Sequence, residues 1–170
     1  MEDHVTIPEN VDVKIEDHSL IVNGPKGQNE KKFCHPKIHI KVEGKEIRLS
    51  SKKNDREEKR ILNTFSAHIK NMIVGVVEGY FCKLKICSGH FPMKVVVDGN
   101  RVVISNFLGE TIPRKSNIID GVKVKINGDI IDVDGLDIED TMQTAANIER
   151  STRITNRDRR VFQDGCYILR

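Results

Sequence analysis

The sequence predicts an α+β protein made of two tandem copies of one small domain, each with antiparallel β-sheets and one main α-helix. Three observations predict this class: an internal repeat, alternating apolar and polar residues within the repeat, and one segment of helical periodicity in each half. We expect a first α+β repeat over residues 1–80 and a second over residues 81–170, joined near residues 80–92.

The repeat consists of two aligned blocks. "SLIVNGPKGQ" (19–28) aligns without gaps on "RVVISNFLGE" (101–110), and "IHIKVEGKEIRLS" (38–50) aligns on "VKVKINGDIIDVD" (122–134). Apolar and polar residues alternate around glycine turns in these segments, which is typical of half-buried antiparallel hairpins. "VEGKEI" and "INGDII" are therefore predicted to form tight turns.

One helix is predicted after the hairpins of each copy. Apolar residues recur at helical spacing, at Ile61, Phe65, Ile69 and Met72 in the first copy and at Met142, Ala145, Ala146 and Ile148 in the second. Asp137 is predicted to cap the second helix, because its carboxylate can accept from amides of the first turn. A glycine turn and a strand are predicted to close each copy, at "VVEGYFCKLKI" and "VFQDGCYIL".

The composition indicates a soluble globular chain. Of its 170 residues, 38 % are hydrophobic and 31 % charged, and no apolar run approaches the roughly 18 residues of a membrane span. The four scattered cysteines favour a reducing cytosol, and their spacing lacks the short pairs typical of zinc sites. We expect no membrane association, no metal and no cofactor.

An acidic stretch suggests a calcium loop but lacks its ligands. With Gly135 at the sixth position of an EF-hand loop, Ile130 would stand first and Thr141 twelfth, so two essential oxygen ligands are missing. A solvated turn followed by a helix start explains the same acids.

No enzymatic motif is found. Cys87 and His90 lie three residues apart, but a thiol nucleophile needs a positioned base, and no third orienting group is evident. There is no nucleotide-binding, serine hydrolase or metalloprotease motif, and the glycine-rich "NGPKGQ" links strands rather than opening a helix. We expect no enzyme and no small-molecule substrate.

Charge is distributed unevenly along the chain. The net charge is only +3, but Gly24 to Arg60 carries twelve Lys/Arg against six Asp/Glu, whereas Asp129 to Asp140 carries six acids and no base. One surface can therefore be much more basic than the total indicates.

The densest basic cluster lies near the carboxyl end. Its arginines are Arg150, Arg153, Arg157, Arg159 and Arg160. Four of them are spaced by three, four and three residues, which places them on one face if the helix runs unbroken; alternatively Thr155 or Asn156 caps a second short helix and the arginines cluster at a corner. Arginine suits bidentate phosphate contact. An ordinary solvated helix end is the alternative interpretation.

Further basic residues lie in predicted loops and turns. They are Lys52, Lys53, Arg56, Lys59 and Arg60 in the loop before the first helix, Lys26 in the "GPKG" turn, and Arg114 and Lys115 after the matching turn of the second copy. With few aromatic residues for base stacking, these positions favour contact with a folded phosphate backbone over capture of single-stranded bases.

Several motifs together resemble one protein family. "NGPKG", "MIVGVVEGY", "HFPMKVVV", "NFLGE", "DGLDIEDTMQTAANI" and "RRVFQDGCYI" occur in the order of the universal large-subunit ribosomal protein six family, over nearly the whole chain. "HFP", "NFLGE" and the closing motif resemble its archaeal and eukaryotic branch, called large-subunit protein nine in eukaryotes.

The resemblance implies two tandem small domains and a structural, non-enzymatic role on the cytosolic ribosome. It implies binding of large-subunit ribosomal RNA near the sarcin–ricin loop, mainly by the second domain, beside neighbouring ribosomal proteins and the site where translational GTPases transiently dock. Carried over by position, it adds Asn106 of "NFLGE" to the RNA-binding candidates. Phe162 and Tyr167 are expected to be core anchors rather than stacking platforms.

Two other functions remain as alternatives. The first is a cytosolic protein-interaction module whose basic face binds an acidic partner. The second, a hydrolase or redox enzyme using Cys87, has less support from the residues.

Overall fold

The computed structural model describes residues 1–51 and 55–169 of an α+β protein. Its contacts divide the chain into two units, Met1–Gly79 and Tyr80–Arg170. Each unit contains antiparallel sheets and one main helix, which confirms the predicted fold class.

The first unit contains two three-stranded sheets and one helix. Their strand orders are β1-β6-β5 and β2-β3-β4. The elements are β1 (Glu2–Thr6), β2 (Asp12–Glu16), β3 (Ser19–Gly24), β4 (Gly27–Lys32), β5 (Ile38–Glu43), β6 (Glu46–Ser51) and α1 (Arg56–Val77). The helix buries its apolar face against both sheets, in a core that includes Leu20, Val22, Ile47, Leu49, Leu62, Ile69 and Val76.

The second unit contains a three-stranded and a four-stranded sheet with one main helix. Their strand orders are β10-β9-β8 and β11-β12-β7-β13. The elements are β7 (Tyr80–Cys87), β8 (Lys94–Asp98), β9 (Arg101–Ser105), β10 (Arg114–Asn117), β11 (Lys123–Asn127), β12 (Ile130–Gly135), α2 (Ile138–Ser151) and β13 (Gly165–Ile168), with a 3₁₀ turn at Phe107–Gly109. The core includes Leu84, Val102, Ile104, Phe107, Ile131, Val133, Ala145 and Ile148.

The predicted tight turns are confirmed. Glu43 pairs with Glu46 and Asn127 with Ile130, so each hairpin has a two-residue turn. The first turn residue, Gly44 or Gly128, has a positive φ of 62° or 60°, a conformation that a side chain disfavours.

The closing strand that the sequence predicts for the first copy belongs to the second unit. This strand, β7, lies almost wholly within residues 81–170 of the expected second repeat, and it pairs with β12 and β13 there. It takes the place that β1 occupies beside β6 in the first unit. Alternation predicts that a segment is a strand but not which strand it will pair with, because the partner is chosen by tertiary packing.

The second helix begins where the sequence predicts and ends earlier than an unbroken arginine face requires. The Asp137 carboxylate accepts from the Glu139 amide at 2.7 Å, which confirms the predicted cap. The helix ends at Ser151, where Thr152 Oγ1 donates to the Glu149 carbonyl and accepts from the Cys166 amide at 2.9 Å. This bridge fastens the helix end to β13. The continuous helical face of arginines is therefore wrong, and the corner arrangement describes the structure.

Candidate nucleic-acid interface

The arginines form a corner between α2 and β13. We call Arg150, Arg153, Arg157, Arg159 and Arg160 the arginine corner; all five are exposed. In the described part of the chain, Arg160 pairs with Asp158 at 3.0 Å, and the other four guanidinium groups form no ion pair. Asn156 adopts a positive φ of 59°, and no second short helix forms over the segment. The corner thus holds four cations that form no ion pair with any described residue, on an irregular loop.

A buried carboxylate holds the end of this loop. Asp164 accepts from the amides of Gly89 at 2.8 Å and His90 at 3.3 Å, and its Oδ1 lies 3.1 Å from His90 Nδ1. Burial acts to raise the pKa of the Asp164 carboxyl, but these hydrogen bonds outweigh burial and lower it below its ordinary value. Sequence reasoning found no group to orient His90; the structure supplies Asp164, 74 residues away.

Two aromatic side chains flank the corner in different ways. Phe162 packs on the core and stacks with His90 at a centroid distance of 4.8 Å, and the Arg157 guanidinium carbon lies 5.0 Å from the Phe162 centroid. This is the expected core anchor, and it also positions Arg157. Tyr167 differs from expectation because it lies on the outer face of the sheet and is 39 % exposed. Its hydroxyl donates to the carbonyls of Gln163 and Asp164, so it anchors the loop rather than the core.

Arg114 is a structural arginine. It donates to both carboxylate oxygens of Glu110 at 2.8 and 2.6 Å and to the carbonyls of Ser151 and Arg153 at 2.9 and 3.1 Å. Its guanidinium carbon also lies 4.2 Å from the Phe107 centroid. The Arg114 hydrogen bond lowers the pKa of the Glu110 carboxyl. Four donors are thus engaged within the unit, so we assign Arg114 to folding and to holding the corner rather than to direct RNA contact.

The two other candidates of this unit differ in availability. The side-chain amide of Asn106 donates to the Pro92 carbonyl at 3.0 Å, and its backbone has a positive φ of 59°. Asn106 therefore shapes its loop. Lys115 is exposed on β10 and forms no ion pair with any described residue.

The predicted RNA-contact residues of the first unit do not form a site among the residues that the structure describes. The ammonium of Lys26 donates to the Glu78 carbonyl and its amide donates to the Val76 carbonyl at 3.0 Å, so this side chain caps the end of α1. Gly24 allows that approach, since a Cβ there would lie 2.7 Å from Val76 Cγ2. The candidates Lys52 and Lys53 lie outside the described residues.

Other chemistry has little support in the described residues. Within residues 1–51 and 55–169, no three His, Cys, Asp or Glu side chains are grouped to hold a metal ion, and no hydrogen bond joins the Cys87 thiol to His90. None of the helices described is long and apolar enough to cross a membrane.

Comparison with known proteins identifies the family. The family model for ribosomal protein L6 matches residues 7–79 and 91–165. The chain belongs to this family. Three L6-family relatives, each called large ribosomal subunit protein uL6, are similar over nearly their whole length. The protein of Methanosarcina mazei is 45 % identical over 165 residues, covering 97 % of this chain and 94 % of the relative. Those of Ignicoccus hospitalis and Desulfurococcus amylolyticus are 48 % identical over 169 and 167 residues, each covering 96 % of this chain and 91 % of the relative.

These L6-family matches confirm the branch that the motifs resemble, since all three relatives are archaeal. Members of the L6 family are structural proteins rather than enzymes. The prediction that the chain is not an enzyme is therefore confirmed, and the thiol-enzyme alternative is set aside.

Proposed function

We propose that this chain is a structural component of the large subunit of the cytosolic ribosome and that it binds large-subunit ribosomal RNA mainly through its second unit. We place the contact near the sarcin–ricin loop, beside neighbouring large-subunit proteins and the docking site of translational GTPases. Family membership supports the ribosomal role. The observation that carries the contact is the arginine corner, with four exposed guanidinium groups that form no ion pair with a described carboxylate.

The chemistry of the corner suits a folded polyanion. Guanidinium groups remain ionised at any physiological pH and donate two parallel hydrogen bonds to phosphate. The corner segment is held by Asp164, Tyr167 and the Arg114 contacts, so less conformational entropy is lost when RNA binds. Phe162, the ring beneath Arg157, is already stacked with His90 and so is not free to stack on a base.

A matched pair of variants tests this proposal in the full chain. Neutralising Arg153, Arg157 and Arg159 to Gln should weaken binding to large-subunit RNA and lower the salt slope by about 0.7–0.9 per lost phosphate contact, without changing sequence preference. The control neutralises Lys14, Lys32 and Arg101, which are exposed and form no ion pair among the described residues, to Gln and so to the same net charge. Equal weakening by both variants would mean that the arginine corner contributes only nonspecific positive charge to RNA binding.

Sedimentation tests the cellular assignment. Tagged wild-type protein should comigrate with the large subunit through moderate salt, and ribonuclease should release it. Free sedimentation at low mass, or an acidic protein partner that survives ribonuclease, would support the protein-interaction module instead.

A further inference from the structure

The outer face of the four-stranded sheet in the second unit is rich in lysine. Side chains that alternate with the buried core residues of β7 and β11 point away from the core. We define the lysine face by its four exposed lysines, Lys83, Lys85, Lys123 and Lys125. Across the strands, Lys125 pairs with Asp132, which pairs with Lys83, so the lysines border β12 on both sides.

On the equivalent sheet face of the first unit, cationic side chains are paired with carboxylates of the same face. There Lys41, Arg48 and His4 occupy the same three register positions. Arg48 lies 2.6 Å from a Glu2 carboxylate oxygen and 3.7 Å from one of Glu43, and His4 lies 3.6 Å from Glu46. That face therefore supplies its own counter-charges.

The lysine face has fewer carboxylates than ammonium groups. Among the described residues none of its four ammonium groups forms an ion pair, and the two carboxylates of the face, Asp132 and Asp134, leave it with an excess of positive charge. Asp132 is engaged by the side-chain amide of Asn127 at 2.7 Å. The same scaffold thus carries a neutral face in one unit and a cationic face in the other.

The lysine face is continuous with the arginine corner. Tyr167 pairs with Lys85 across the β7–β13 ladder, and it also lines a cleft of about 390 Å³ together with Arg150, Arg153 and Arg159. The Arg159 charge acts to lower the pKa of the Tyr167 hydroxyl, although burial raises that pKa overall. Cationic side chains therefore extend from the corner, past Tyr167, onto the sheet.

The composition of this face fits RNA better than protein. Interfaces between proteins are depleted in lysine at their centre, because ammonium groups are costly to desolvate. Flexible lysine stems present point charges that follow a phosphate backbone without fixed geometry. Phe81 and Tyr167, 54 % and 39 % exposed, lie among the lysines. The Lys83 ammonium lies 5.2 Å from the Phe81 centroid and covers part of that ring, and the ring surface that remains exposed can contact ribose or bases.

We infer that the lysine face is a second RNA-contacting surface, which extends the RNA footprint of the arginine corner across the sheet of the second unit. The inference rests on the proposed function, and it assigns roles to Lys83, Lys85, Lys123, Lys125, Phe81 and Tyr167.

The test uses the full chain with all four lysines changed to Gln. The salt slope of binding to large-subunit RNA should fall by about 0.7–0.9 for each lost contact, and affinity at moderate salt should fall about tenfold or more. The control changes Lys14, Lys32, Lys41 and Lys70, which are exposed residues of the first unit, to Gln, and should bind like wild type. Thermal unfolding of both variants checks that they fold.

Ultraviolet cross-linking gives an independent readout. Nucleotide adducts should map to Phe81 or Tyr167 in the wild-type complex. Wild-type slope and affinity in the lysine variant, with arginine-dependent binding intact and no adducts on these strands, would overturn the inference while leaving the proposed function standing. Loss of a protein neighbour with RNA binding unchanged would overturn it in favour of an acidic protein partner. Failure of the wild-type protein to bind RNA would overturn the proposed function itself.

Discussion

In each unit a cationic side chain donates a hydrogen bond to the carbonyl end of the main helix, but the loop that carries this side chain differs. In the first unit Lys26, from the two-residue turn between β3 and β4, donates to the carbonyl end of α1. In the second unit Arg114, at the end of the longer connection between β9 and β10, donates to the carbonyl end of α2. Helix ends leave carbonyls unpaired, and a cation there also complements the helix dipole.

The loops that carry these two cations differ in length. Val22 pairs with Asn29 seven positions later, whereas the equivalent Ile104 pairs with Arg114 ten positions later. The added residues lie between Glu110 and Arg114 and include the exposed Ile112, since the 3₁₀ turn at Phe107–Gly109 aligns with Pro25–Gly27 of the shorter turn. Lys26 aligns with Leu108, so the two units place a cation at the helix end from different positions of the repeat.

Replacement of Arg114 should have the largest effect. Arg114→Ala removes four hydrogen bonds, two of them to a carboxylate, and leaves helix-end carbonyls unpaired in a partly buried site. We expect the unfolding free energy of the second unit to fall by about 3 kcal/mol. Hydrogen exchange of α2 and β13 amides under mild denaturant measures this directly. The neighbouring Lys115→Ala should change it by less than about 0.5 kcal/mol; similar losses in both variants would contradict the role of Arg114.

Asp164 gives the second unit a pH dependence of its own. Its pKa is lowered in the folded state, so the carboxylate stabilises the fold above its unfolded pKa of about 3.9, and this stability is lost as the pH falls through the folded value. Asp164→Asn should cost about 2 kcal/mol at pH 7. The gap from wild type should narrow as the pH falls below about 3.9 and through the lowered folded pKa, where the wild-type carboxyl is also becoming protonated.

Urea unfolding at several pH values measures this gap. Asp129→Asn, at an exposed turn, serves as the control and should track wild type. A gap that stays constant from neutral to acid pH would mean that the charge of Asp164 does not contribute.

Replacement of Lys26 should have the smallest effect. Lys26→Ala removes the side-chain donor to the end of α1, but the site is exposed and the Lys26 amide still donates to Val76. We expect a loss of about 0.5–1 kcal/mol, seen as faster hydrogen exchange at the last turn of α1. Lys14→Ala controls for charge. A loss of unfolding free energy as large as that of Arg114→Ala would mean that the greater exposure of Lys26 does not make its helix-end contact weaker than that of Arg114.

The candidate site was predictable in composition and only partly in geometry. The arginine cluster is visible in the sequence because its members are close along the chain. The uses of Arg114, Asn106 and Lys26 were not predictable, since the backbone carbonyls to which they donate lie 14 to 52 residues away. The lysine face is not predictable from the sequence, because its four lysines lie on two strands separated by β12 and only the folded sheet brings them together.

By itself the sequence determined the duplication, the hairpins with their glycine turns, the start of α2 and the density of arginine near its end. These depend on periodicity, φ preference and capping, which act over a few residues. Tertiary structure alone decided which strands β7 pairs with and that α2 ends at Ser151. It also decided that Arg114 is engaged in hydrogen bonds within its unit, whereas Arg150, Arg153, Arg157 and Arg159 form no ion pair among the described residues. The reason is that strand pairing, helix termination and the pairing of charges depend on groups that only the folded chain brings within hydrogen-bonding distance.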